Sequence, residues 1–158
     1  MSAKAAARAA LTLDPAQREV LLEEIGALAG SLGDPLVRRP YDELAAAVAD
    51  GEVGEALLGR LERVLQMTLE TGRARRVHGA QHEQSLLRLF RQTPQGAAVH
   101  RATEAVNQAL ATLQDQTLEG MLFTVQGPGA YRLGVSTDRC RLTLEIDRHG
   151  ISVESLEV

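Results

Sequence analysis

The hydrophobic period of this chain changes once, at Gly120. From residue 14 to residue 119 apolar side chains recur every three or four positions, as on one face of a helix. Beyond Gly120 they alternate with polar residues, as on one face of a strand. A sheet with one apolar face needs cover, and the amphipathic helices before it are the available material. The expected fold class is therefore α+β: an N-terminal helical region of about five helices, then a four-stranded antiparallel β-meander packed on the last helices. The 158 residues divide into a flexible basic tail over 1–13 and a single domain over 14–158, with helices in 14–119 and the sheet in 121–158. A domain of that size can bury a core without a metal or disulfide.

The strands read as MLFTVQ, AYRLGVS, RCRLTLEID and ISVESLEV, joined by turns at GPG, TD and RHG. Tyr131, Leu133 and Val135 face inward on the second, as do Cys140, Leu142, Leu144 and Ile146 on the third. The fourth strand is out of phase with itself, since Ile151 and Val153 fall on one face and Leu156 and Val158 on the other. A bulge near Glu154-Ser155 would reset it; otherwise apolar groups lie beside an open edge that a second copy could cover.

In the helical part, DPAQ at 14–17 carries a cap, a proline at the first helical position and a glutamine able to close a capping box. Leu21, Ile25, Leu28 and Leu32 follow before Gly33 and Pro35 end the helix. A short helix over 41–49 stops at Asp50-Gly51, and a third follows Val53, Leu57, Leu61, Val64, Leu65 and Thr68 to Gly72. The fourth starts at Arg73 and ends at Thr93-Pro94, although nothing forbids the third and fourth from running on as one rod. Val99, Ala102, Val106, Ala109, Leu110, Leu113 and Thr117 mark the fifth.

Charge is segregated along the chain. The formal total is −4, yet residues 60–101 hold eight Lys/Arg against three Asp/Glu, while the segments on either side are acidic. The basic stretch offers one local place for a phosphate or an acidic protein partner, whereas the net charge and an aromatic content of 3% disfavour nucleic acid. Arg73, Arg75 and Arg76, at the expected start of the fourth helix, would meet an anion there, with Arg101 extending the ridge. No apolar run approaches the roughly 18–20 residues of a membrane helix. The single cysteine, Cys140, forms no internal disulfide and sits on an inward phase, a poor nucleophile; the expected location is cytoplasmic.

His78 and His82 are four residues apart, so in a continuous helix both rings could reach one cation, zinc or another transition metal. Neither metallopeptidase pattern fits, because Gly79 follows the first histidine and Gln81 precedes the second. His100 and Glu104 are the best further ligands. On a helical wheel His78 and His82 fall instead on the shoulder of the packing face, flanking an apolar seam. The adjacent carboxylates Glu23-Glu24 and Asp42-Glu43 diverge by about 100° and read as solvation of their helices. With no catalytic set assembled, the expectation is a non-enzymatic interaction or assembly module, homodimeric through the sheet edge or the helical ridge. The alternatives are a metal-binding protein or metal-dependent enzyme at His78, His82, His100 and Glu104, and phosphate or nucleic-acid binding through the 73–101 ridge.

Overall fold

The capping box at Asp14 forms as its residues require: Gln17 N–H donates to Asp14 Oδ1 (2.8 Å) and Asp14 N–H to Gln17 Oε1 (3.0 Å). It opens α1, Pro15–Ser31. The computed structural model describes residues 10–158, and the chain falls into two compact units that divide after Gly96.

In the first unit, a two-residue strand β1 (Leu11–Thr12) pairs antiparallel with β2 (Glu52–Val53). Residues 1–9 of the expected tail lie outside the described residues. The end of that segment is not tail, because β1 is paired, Leu13 is buried and its N–H donates to the Gly51 carbonyl (2.9 Å). Helix α2 spans Pro35–Asp50 and so starts six residues before the expected 41. Asp34 caps it through Leu36 N–H (2.8 Å) and Pro35 supplies the preset φ, so Pro40 falls early in a helix already nucleated. Gly51, at φ +87°, ends it.

Helix α3 (Glu55–Glu70) buries Leu61, Val64, Leu65 and Thr68, the face read from the sequence. The chain then turns at Gly72 (φ +67°), makes a π-helical turn over Ala74–His78, turns again at Gly79 (φ +88°) and enters α4, Ala80–Gln92. The fourth helix thus does not begin at Arg73, and no rod joins it to α3: an α-helix cannot pass through a residue with positive φ. Leu21, Ile25, Leu44, Val48, Leu61, Leu65, Leu86 and Leu89 are the centre of this unit's core. Its last joint is tight. Thr93 Oγ1 donates to the Phe90 carbonyl (2.7 Å) and accepts from Gly96 N–H (3.2 Å), and a Cβ on Gly96 would lie 1.8 Å from that carbonyl oxygen.

Helix α5 spans Pro94–Ala111. In the second unit it covers a meander of β3 (Leu118–Gly127), β4 (Ala130–Thr137), β5 (Arg141–Asp147) and β6 (Gly150–Glu157), hydrogen-bonded in that order. Val106 and Ala109 of α5 pack on Val135, Leu142 and Leu144, with Leu133, Ile151 and Val153 at the margin. The class is α+β. The phase problem of the last strand is resolved by the bulge: Thr143 pairs with Ser155 but Leu144 with Val153, so Glu154 is the extra residue and Leu156 returns to the apolar face opposite Leu142. Arg132 holds Glu154 on the polar face.

Candidate functional site

Two features stand out, one in each unit. The first is a buried ionic cluster on α1. Glu24 lies between Leu21 and Ile25 on the packed side of that helix and is only 6% exposed. Arg73 Nε–H donates to both of its oxygens (2.8 and 2.7 Å), and Thr68 Oγ1 lies 3.5 Å from the second. His78 Nε2 is 2.8 Å from Glu24 Oε1; a carboxylate only accepts, so this nitrogen carries the hydrogen. The other ring nitrogen is 3.8 Å from Glu23 Oε2. The reading of Glu23-Glu24 as a solvating pair is therefore corrected. They do diverge, but the divergence that leaves Glu23 in water turns Glu24 inward. A buried carboxylate needs partners to offset its desolvation, and the turn after Gly72 brings them. Beside the cluster, a cleft of about 220 Å³ runs between α1 and α3, walled by Ala27, Leu28, Val64 and Met67, with Glu24 and Arg73 on its lining.

The π turn and Gly79 place the sequence-derived candidates differently from a continuous helix. His78 belongs to the π turn and His82 to α4, with ring centroids 6.4 Å apart and edge to face. His82 Nδ1–H donates to the His78 carbonyl (2.6 Å). Among the described residues, the group whose donor atoms come within 4.8 Å of one another is Glu23, Glu24 and His78. His100 and Glu104 face each other on α5 (3.4 Å). The arginines are engaged within the unit: Arg73 on Glu24, Arg75 on Glu83 (2.8 Å) and Arg76 on the Thr71 carbonyl (2.8 Å). Since α4 starts at Ala80, its free N–H groups are not at the arginines. Arg101 is exposed on α5.

The second feature is strand β3. By register, Met121, Phe123 and Val125 oppose Val135, Leu133 and Tyr131, so they extend the sheet's apolar face to its edge. They remain uncovered, and with Leu118 and Leu122 they are 57–72% exposed. Phe123 stacks on Tyr131 (centroids 5.5 Å, planes 20° apart) and nothing apolar covers its outer side. Met121–Val125 carries no charge and no proline, the devices by which edge strands are ordinarily kept from pairing. The sequence reading expected the preceding helices to cover the sheet's apolar face; α5 packs on its middle strands and leaves the first strand open. Among the described residues no helix is long and apolar enough to cross a membrane. Comparison with protein-family models, with curated proteins and with solved structures finds no match to this chain.

Proposed function

We propose that this protein is a cytoplasmic, non-enzymatic interaction or assembly module that self-associates through the β3 edge of its sheet. The observation that carries the reading is the row Leu118, Met121, Leu122, Phe123 and Val125, exposed on a strand with an unpaired edge. Monomers rarely leave such a row uncovered. Covering what remains exposed of Met121, Phe123 and Val125, the three on the apolar face, on each of two copies is worth at most roughly 6–11 kcal/mol, at ~1.5–3 kcal/mol for full burial of each. Association costs about 4–15 kcal/mol in lost freedom. The two ranges overlap, so the backbone hydrogen bonds gained along the open edge have to contribute as well. Light scattering over a concentration series tests this, and a monomer at the highest concentration refutes it.

The helical ridge supports an acidic partner or a phosphate less well, because Arg73, Arg75 and Arg76 already have acceptors that such a ligand would have to displace. Retention on a polyanion column that falls steeply with salt would revive that reading. Zinc or another transition metal at His78, with Glu23 and Glu24, faces a guanidinium on both Glu24 oxygens. Elemental analysis of untagged protein, purified without chelators, tests that alternative directly.

A further inference from the structure

Resting on the self-association reading, we propose that β3 pairs antiparallel with β3 of a second copy about a twofold axis at Phe123, joining two four-stranded sheets into one of eight.

The register follows from three constraints. First, two antiparallel neighbours related by a twofold axis normal to the sheet keep their apolar faces on the same side, and the residue on the axis pairs with itself. Second, β3 is irregular at both ends, with register shifts against β4 between Leu118 and Gly120 and between Val125 and Gly127. The regular stretch open to a new partner is therefore Gly120–Val125. Third, the side chains brought opposite one another must match. With the axis at Phe123, Met121 meets Val125 of the second copy, Phe123 meets its own counterpart and Leu122 meets Thr124. All three apolar-face residues then oppose apolar residues, and Glu119 falls opposite Gly127. An axis at Leu122 would set Glu119 against Val125, and an axis at Met121 would set it against Phe123. The Phe123 register is the one that uses the whole uncharged stretch and strands no carboxylate in the seam.

The pairing satisfies two kinds of unfilled valence together. The outward N–H and C=O groups of β3 gain partners, and the apolar face continues across the junction. Phe123, already stacked on Tyr131, meets a second aromatic ring on its open side.

The test is a cysteine placed on the axis. In full-length protein carrying Cys140→Ser, which removes the only native thiol, Phe123→Cys should form a covalent dimer under mild oxidation. Leu156→Cys, on the opposite edge strand, should remain mostly uncrosslinked. In the unmodified chain, amide exchange at 121–125 should slow at least about ten-fold between dilute and concentrated protein, as expected for backbone groups that gain partners. Val125→Lys should weaken self-association about 100-fold or more, because it sets a charge on the apolar face opposite Met121 of the second copy. A dimer by scattering with no Phe123→Cys crosslink and no change in exchange at 121–125 overturns this interface but leaves self-association standing. Dominant crosslinking at Leu156→Cys overturns it likewise. A monomer at every concentration removes both.

Discussion

Replacing Glu24 by glutamine isolates the charge of the buried cluster from its shape. The side chain accepts from two donors, Arg73 Nε–H on both oxygens and His78 Nε2–H on one. A hydrogen bond to a charged group contributes about 1.5–3 kcal/mol net and a neutral one about 0.5–1.5, so neutralising an acceptor shared by two donors costs about 2–3 kcal/mol. The amide also cannot serve both positions. If its oxygen keeps the His78 contact, its NH2 faces the Arg73 N–H, donor against donor. In urea, with m of about 1–3 kcal/mol/M, the midpoint followed by circular dichroism at 222 nm should fall by roughly 1 M or more. Glu23→Gln is the matched control, since Glu23 is exposed and only 3.8 Å from the other ring nitrogen; its effect should stay within about 0.5 kcal/mol. Arg73→Ala should cost less than removing the carboxylate outright, because Arg73 is 42% exposed and water can enter from the α1–α3 cleft to solvate Glu24. Equal midpoints for the Glu24→Gln and Glu23→Gln proteins would refute the account, for the buried carboxylate would then be no better engaged than its exposed neighbour.

Other expectations can be checked in the same way. Gly96→Ala should destabilise by at least about 1–3 kcal/mol, since its Cβ meets backbone that cannot step aside. Gly79→Ala places a side chain at φ +88° and ψ 168°, backbone open essentially to glycine alone, with open space around it, so the cost, about 1–3 kcal/mol, is purely conformational and Gly79→Asn should not recover it. Asp14→Ala should lose about 0.5–2 kcal/mol with the capping box, measured as a shift in thermal midpoint. Leu142→Ala, at a fully buried position, should cost about 2–5 kcal/mol, seen as early loss of β-sheet amide protection.

Local rules carried the sequence reading where structure is local. The α1 start at Asp14-Pro15, the stop at Gly51, the buried face of α3 and the phases of β4 and β5 follow from caps, glycines and periodicity alone. The change of phase in the last strand left a bulge near Glu154-Ser155 as one of two readings, and the register against β5 decides for it. What escaped was non-local. Glu24 meets Arg73 and His78 across about fifty residues of chain, and the one sequence hint is its position between Leu21 and Ile25 on a buried stripe. Gly79 was read as the residue that spoils a metal motif, when its larger effect is to break the helix on which that motif would have lain. The exposure of β3 could not be read from alternation, which gives the face a side chain is on but not how far a covering helix extends over it.

The extra residue at Glu154 makes the two rims of the sheet unlike. One is regular and uncharged over Gly120–Val125, with its irregularities confined to its ends; the other carries its extra residue, Glu154, in its middle. Under the proposed pairing a ribbon with one adhesive rim would double but not lengthen, since the join would consume the surface that makes it and the bulge at Glu154 would keep the other rim from continuing it.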